Sequence, residues 1–448
     1  MDFSEFREAV CAQARQMGIC EYELYYQSAE SVSVSAFQQE INQFSAASEG
    51  GVCFRCIVNG KMGYASTEAL SAEQAAAIVR RAADNAAVLE SEEEVLLGAG
   101  GQTYHALQIT PYGLPDTDTL IAGVLDAQKK LYEAHPAVVD GCTAQGISER
   151  SRIAIYNSKG LDLEYENSVS GLILCAVVTD GKEKANDYQI KLGPLDTVDA
   201  AELADKAART ALRKLGGEPA PTGTYPVVFS PEAMASLLRV FSPVFSAQTA
   251  QKGLSRLAEQ EGSRIASPAV TLVDDPFHPQ NPMPIHFDAE GSPTYQKNVI
   301  EQGVLKTLLY NLKTANVAGK QTTGNASKAG YDSAVDIRPF TLYLAPGTQT
   351  EAALLRQAEN GVYITALNGL HAGANAVSGD FSLQSEGFLI EKGEKTAPVR
   401  AFTVAGNFYD LLQNITAVAD NLDLPGATGM TAFGAPSVLV RGLSIAGK

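Results

Sequence analysis

Apolar positions along the first ninety residues change their period twice. Phe3, Phe6, Val10, Ala14 and Met17 recur every three to four residues, which predicts an amphipathic helix over 3–17. Alternating runs follow (YELYYQ, SVSVSAF, GVCFRCIV and KMGYAST), and these predict strands. VNGK between the last two predicts a tight hairpin, because Asn-Gly accepts positive φ at low cost. The helical period returns in SAEQAAAIVRRAADNAAVLE, with Ser71 as cap and Glu73 in the first turn.

The same order recurs downstream. DTDTLIAGVLDAQKKLYEA is amphipathic through Leu120, Ile121, Val124, Leu125 and Leu131. VVDGCTAQGIS, SRIAIYNSKG, LDLEYENSVSGLILCAVVT and ANDYQIKL predict strands, with the turn YNSKGLDL placed where VNGKMGY stood before. DAAELADKAARTALRKLGG closes the unit, with Leu203, Ala207, Ala211 and Leu215 on one face and Gly216 as a stop. The pattern predicts an α+β chain in which two related units, 1–90 and 117–220, place helices on antiparallel or mixed sheets. Residues 91–116 form the linker, opening on SEEE at 91–94, which reads as solvated.

After the Gly/Pro-rich GGEPAPTGTYP the texture changes to short apolar runs, many glycines and few long helices. FSPEAMASLLRVF predicts a helix capped by Ser230, opened by Pro231 and ended by Pro243. TQTEAALLRQAENG predicts a second, with a Thr348/Glu351 capping box and Gly361 at the exit. NFYDLLQNITAVAD predicts a third, facing inward through Leu411, Leu412, Ile415 and Val418. The rest alternates, so residues 221–448 read as one β-rich domain.

Composition narrows the function classes. At 448 residues the chain exceeds one ordinary core. With 45% apolar and 19% charged residues it should fold without metals or disulfides. No apolar run approaches the ~20 residues of a membrane helix. MDFSEFREAVCAQARQ lacks the basic start and apolar core of a signal peptide, so the expected location is cytoplasmic. The net charge of -17, with no Lys/Arg run longer than a pair, disfavours direct nucleic-acid binding. Cys53-x-x-Cys56 has no second pair, and residues three apart on a strand face opposite ways, so these read as ordinary strand cysteines.

Two stretches carry candidate chemistry. LHAGANAVSGDFSL places His371, Ser378 and Asp380 within ten positions, but lacks the G-x-S-x-G spacing of a nucleophile elbow. It reads as a turn in which Ser378 and Asp380 make local hydrogen bonds and Gly373 and Gly379 supply conformational freedom. TLVDDPFHPQNPMPIHFDAEG offers Asp274, Asp275, His278, His286, Asp288 and Glu290 as possible ligands. Pro276, Pro279, Pro282 and Pro284 break any regular element that would align them, so a structural loop with exposed histidines is the expected reading. Phosphate-loop and dinucleotide motifs are absent. So are H-E-x-x-H and H-E-x-x-x-H, since no two of the five histidines lie four or five positions apart.

FDAEGSPTYQKNVIEQGVLKTLLYNLKTANVAGKQTTGNASK, GLHAGANAVSGDFSLQSEGFLIEKGE and AGNFYDLLQNITAVADNLDL resemble the third domain of the TldD/PmbA family, and SEGGVCFRCIVNGKMGYAST resembles its first-domain hairpin. The resemblance spans nearly the whole chain and is most specific between residues 271 and 425. It implies a metallopeptidase family whose members are also known as modulators of DNA gyrase. TldD-type subunits of that family carry an H-E-x-x-x-H zinc helix and a cysteine ligand near the C-terminus; TldE/PmbA-type subunits lack both. Counted along SPEAMASLLRVFSPVFSAQ, the first histidine position falls on Arg239, the glutamate on Val240 and the second histidine on Val244. None of these can ligate zinc or act as a base. PGATGMTAFGAP contains no cysteine either.

The resemblance therefore implies a TldE/PmbA-type subunit with no catalytic residue, metal or cofactor of its own, paired with a TldD-type subunit that brings zinc. It would help enclose unfolded or small peptides for proteolysis, and a homodimer is also possible. HAGANAVSGDFSL resembles the signature of that branch, so His371, Asn375, Ser378, Gly379 and Asp380 are expected to shape the cleft or the subunit contact. The alternative is a homodimeric peptide-binding or scaffold protein without proteolytic activity.

Overall fold

The computed structural model describes residues 1–90, 95–106, 113–425, 427–428 and 431–448. The first half contains α1 (Phe3–Gln16), β1 (Glu21–Phe37), β2 (Glu40–Val58), β3 (Lys61–Thr67), α2 (Ala72–Val88), α3 (Thr117–Ala134), β4 (Thr143–Asn157), β5 (Asp162–Thr179), β6 (Lys184–Leu192) and α4 (Ala200–Leu212). Its strands form one antiparallel sheet, β3-β2-β1-β4-β5-β6. The two α+β units thus share a sheet, joined where β1 pairs with β4 from Glu23↔Asn157 to Phe37↔Thr143.

All four helices cover one face. Tyr22, Leu24, Val52, Phe54 and Cys56 pack beneath α1 and α2. Val34, Ala36, Ala144, Leu172 and Leu174 pack beneath α3 and α4. Gly146 lets α3 sit close, since a Cβ there would lie 2.6 Å from Val124. Asp2 and Glu5 form a capping box at α1, and Asp116 and Asp199 cap α3 and α4. Asn59 and Gly60 take positive φ in the VNGK turn.

Several details differ from the sequence pattern. YELYYQ and SVSVSAF are one strand, and so are the ends of VVDGCTAQGIS and SRIAIYNSKG, because nothing between them interrupts an extended backbone. This shifts the turn equivalence. YNSKGLDL joins the first two strands of its unit, whereas VNGK joins the last two; the counterpart of VNGK is the Asp180-Gly181 turn between β5 and β6. Met17 caps α1 and is exposed rather than part of its buried face.

The second half contains β7 (Gly223–Phe229), α5 (Pro231–Phe241), α6 (Ala247–Gln251), β8 (Leu272–Asp274), β9 (Lys297–Glu301), β10 (Val304–Leu305), α7 (Leu312–Val317), β11 (Ala326–Ser327), β12 (Asp336–Ile337), β13 (Thr341–Leu344), α8 (Glu351–Ala358), β14 (Asn360–Asn368), α9 (Leu370–Gly373), β15 (Asp380–Glu391), β16 (Glu394–Asn407), α10 (Phe408–Asn414), β17 (Ile415–Val418), β18 (Ala427–Thr428), β19 (Thr431–Gly434) and β20 (Val438–Ala446). One sheet runs β10-β9-β8-β13-β19-β18. The other runs β16-β15-β14-β7-β20-β17 and curls until β16 also meets β20. α5 lies between them, touching β7 and β14 on one side and β13 and β19 on the other. Its Met234, Leu237, Leu238 and Phe241 are fully buried in the core.

α8 is capped by Thr350, not Thr348, and Gly361 already lies in β14. The helix of NFYDLLQNITAVAD stops at Asn414. Ile415–Val418 instead extends to pair with β20, which still buries Ile415 and Val418.

The far face of the N-terminal sheet meets the C-terminal half. Tyr25, Cys53, Ile153 and Ile155 pack against Phe287 and Tyr331. Cys53 and Cys56 therefore do face opposite sides of the sheet. Residues 91–94 and 107–112 of the linker, SEEE included, lie outside the described residues. Its middle is docked along the join: Leu97 is buried, and Tyr104 donates from its hydroxyl to the Gly291 carbonyl at 2.8 Å.

Candidate functional site

The helix that the resemblance sets against the zinc helix is short. α5 stops at Phe241, and Ser242–Phe245 tightens into a 3-10 turn around Pro243. Arg239 is exposed, Val240 is half-buried against the core, and Val244 is fully buried. The three positions face different surroundings, and none supplies a metal donor. The residues present do not fit a zinc ion. PGATGMTAFGAP, where a cysteine ligand would stand, runs over 425–436; residues 426, 429 and 430 of it lie outside the described residues.

The 370–380 loop adjoins this helix end. Phe241 stacks on Phe408 with ring centroids 4.6 Å apart and meets Phe381 edge-on at 6.2 Å. Phe408 N donates to the Gly379 carbonyl at 2.7 Å. Within the loop, the Asn375 side-chain oxygen accepts from Val377 N at 2.9 Å and Ser378 N at 3.2 Å. Asn375 N and Gly379 N bond to the Asp380 and Asn375 carbonyls. Asn407 donates to the Ser378 carbonyl at 2.9 Å and to the Asp380 carboxylate at 2.8 Å. Gly379 has φ +82, and a Cβ on it would lie 2.5 Å from the Tyr409 ring.

The Ser378 hydroxyl oxygen accepts from Asp380 N at 3.3 Å. Hydrogen bonds from Asn407 first, then from Ser378, hold the Asp380 carboxyl below its usual range, and Arg256 adds to this. His371 is exposed in α9 and takes no part in the bonds that fix the turn. A triad needs the imidazole between serine and carboxylate, and the arrangement has serine against carboxylate. The structure brings Asn375, Ser378, Gly379 and Asp380 together with Asn407, Tyr409 and Arg256, and leaves His371 at the rim. Arg256 lies over the Tyr409 ring at 5.2 Å, and Ser255 donates to the Val244 carbonyl at 2.7 Å. The α5 end, this loop and the start of α10 are thus packed together through buried residues.

The acidic and histidine residues of TLVDDPFHPQNPMPIHFDAEG separate. Asp274 is buried and accepts from Lys297, Asn325, Phe340 N and Thr341 N. Asp275 caps a turn through Phe277 N. The histidines are half-buried and not exposed as expected, because aromatic rings cover them: His278 packs on Tyr343, and His286 packs among Tyr104, Tyr165 and Phe287. Burial pushes both imidazoles toward the neutral form. Among the described residues, no three His, Cys, Asp or Glu side chains converge as a metal group.

Asp288 and Glu290 belong to a buried charge cluster at the join of the two halves. Asp288 accepts from Glu290 N, Ser292 N and Ala326 N, each at 2.9 Å. Burial, then the charge of Glu290, pushes its carboxyl up to about 7. Glu290 is raised by burial, with Arg55 opposing. Arg55 donates through Nε to Glu23 at 2.7 Å, and Asn157 donates to the other Glu23 oxygen at 3.2 Å. Burial works against the charge of Arg55, but Glu23 and Glu290 beside it outweigh that. Lys328 is 3% exposed and lies over the Tyr25 ring at 4.6 Å. The sequence reading missed Glu23, Arg55 and Lys328. The first two carried a signal: single charges of opposite sign inside YELYY and CFRCIV, which the sheet sets directly opposite each other.

With this geometry in place, similarity to known proteins becomes informative. Residues 222–447 match the PmbA/TldA metallopeptidase C-terminal domain, 22–86 its domain 1 and 111–215 its central domain. A metalloprotease of Methanothermobacter thermautotrophicus is 29% identical over 334 residues, covering 70% of this chain and 72% of that protein. A metalloprotease PmbA homolog of Haemophilus influenzae is 26% identical over 88% of this chain and 86% of its own. Among solved structures, a candidate modulator of a DNA gyrase from Thermotoga maritima is 31% identical with a TM-score of 0.90, covering 99% of this chain and 100% of that one. TldE from Thermococcus kodakarensis, at 24% identity, TM-score 0.87 and coverage of 98% and 100%, shares the fold. No helix among the described residues is long and apolar enough to cross a membrane.

Proposed function

The chain belongs to the PmbA/TldD metallopeptidase family, and from that premise we propose that it is a TldE/PmbA-type subunit working beside a TldD-type partner. The observation that carries the reading is the end of α5. By the resemblance, Arg239, Val240 and Val244 stand where TldD-type subunits carry the zinc ligands and base, and Val244 is fully buried in the core. In this reading any zinc is held by the partner, where it would polarise a peptide carbonyl and activate water. This chain contributes enclosure and peptide binding. The exposed side of the 370–380 loop, with His371, Asn375 and Asp380, is its candidate contact with peptide or partner. Substrates are unfolded or small peptides, held chiefly by main-chain bonds.

The test is to co-express the chain with a TldD-type chain, purify the pair, and assay cleavage of an unstructured peptide by each chain alone and by both. The reading requires activity from the pair that a zinc chelator abolishes, and none from this chain alone. Chelator-resistant cleavage by this chain alone would refute it.

A further inference from the structure

Among the described residues two lysines are buried, Lys297 and Lys328, and only one of them has a counter-charge. Lys297 donates to Asp274 at 3.1 Å. Lys328 follows β11 and is 3% exposed. Its ammonium lies 4.6 Å from the centre of the Tyr25 ring, and it makes no hydrogen bond and no ion pair with any described residue. Burial works against its charge. A buried charge left without an acceptor is costly, so native structures normally pair it. Lys328 is followed by exposed Ala329, and Tyr331 then packs over Gly51 and donates to Glu68 at 3.2 Å. The ammonium therefore lies under a short segment at the margin of the sheet, with solvent one residue away.

Strand register fixes what surrounds it. Tyr25 stands directly opposite Cys53, and Glu23 opposite Arg55, one step along on the same face. Lys328 lies over the first pair and beside the second, where the charged groups acting on it are Arg55, Glu23 and Asp332. Glu23 is already engaged by Arg55 and Asn157. Asp332 is exposed on the segment that follows. Glu290 accepts from Leu312 N at 2.8 Å, and Asp288 is held by three backbone N–H groups. None of these carboxylates reaches the ammonium. Arg55 Nη2 also has no acceptor in line with its N–H bonds, although it lies 2.6 Å from Glu23. Two neighbouring buried cations thus carry unfilled donors. Glu23 offsets Arg55, so one positive charge remains to be met. A monoanion meets it, whereas a dianion such as phosphate would add excess negative charge beside Glu23. The two oxygens of a carboxylate can serve both cations.

We propose that Lys328 and Arg55 form a binding site for a small carboxylate monoanion in the join between the two halves of the chain. The carboxylate is that of a free small acid or of a peptide C-terminus, and the site does not depend on the subunit reading. The test uses the full chain with trifluoroacetate, acetate and triglycine as probes. The fluorine-19 line of trifluoroacetate should broaden on adding the chain, and acetate should reverse the broadening. Replacing ~100 mM chloride by acetate at one pH should raise the melting temperature by at least ~2 °C. Lys328→Met removes a buried cation that has no partner, so it should melt no lower than the wild type in chloride. It should also weaken trifluoroacetate binding roughly tenfold or more and abolish the acetate response. Free triglycine acting like acetate, with its amide inactive, assigns the site to peptide ends; a response to acetate alone assigns it to free acids. Absence of broadening by the wild type overturns the proposal whether or not the variant folds. An equal acetate response in wild type and Lys328→Met also overturns it, as does a variant destabilised alike in both anions, which would make Lys328 a packing residue only.

Discussion

Arg55→Met is the sharpest perturbation of the join between the two halves. Arg55 is 6% exposed and Glu23 1%. Their side chains approach to 2.6 Å, and Arg55 is also the cation that opposes the raised titration of Glu290. Methionine keeps most of the volume and removes the charge. Glu23 is then left buried with only Asn157, and Glu290 loses its counter-charge. Breaking a buried pair from one side costs about 3–5 kcal/mol, because the stranded charge keeps its desolvation penalty. For a unit of 150–250 residues this lowers the melting temperature by roughly 6–20 °C. The loss should be larger at pH 8 than at pH 5.5, since a stranded carboxyl escapes its penalty by taking up a proton. Glu23→Gln/Arg55→Met should recover a large part of the loss, because neither charge then remains unpaired. Scanning calorimetry at both pH values, with limited proteolysis at the join, measures this. A loss below about 1 kcal/mol for Arg55→Met, or a double variant no better than the single, would refute the argument.

Ser378→Ala in the reconstituted pair should lower peptide cleavage at most tenfold, about 1.4 kcal/mol, whereas loss of a nucleophile would cost several orders of magnitude. Gly379→Ala should cost more, since the residue has φ +82 beneath the Tyr409 ring; equal effects on cleavage would count against the turn as a positioning element. Elemental analysis of the purified chain should find no stoichiometric zinc, and about one tightly held zinc per chain would contradict the reading of α5. Asp288 titrates at about 7 in the folded chain against 3.8 for an ordinary aspartate, so its contribution is present below pH 3.8 and is lost as pH rises to about 7. Asp288→Asn should flatten the fall in stability across that window; an unchanged slope in urea titrations would assign it to other groups.

Much of the fold was legible because local physics dictates it. Caps at Ser71 and Ser230, the Asn59-Gly60 turn and the shift from helical to alternating period each act within a few residues. The same holds for the α5 reading, since arginine and valine lack metal donors in any fold. Where the sequence misled, the cause was competition at longer range. Ile415–Val418 continues a helical apolar pattern, but pairing with β20 draws it into an extended strand while its apolar side chains remain buried. Thr350 rather than Thr348 caps α8 because the chain turns two residues later than the spacing suggested.

The sequence by itself determined the α+β alternation, the β-rich second half, the lack of zinc donors at 239, 240 and 244, and the turn character of 375–380. Each depends on residue type and near neighbours. Tertiary structure alone decided that the two related units share one sheet, that Phe241 joins the α5 end to the 370–380 loop, and that Glu23, Arg55, Asp288, Glu290 and Lys328 meet in one buried cluster. The outermost of these, Glu23 and Lys328, are 305 positions apart. Which of them meet is set by strand register and by which face of the sheet the helices leave open, and neither is written in any local window of the chain.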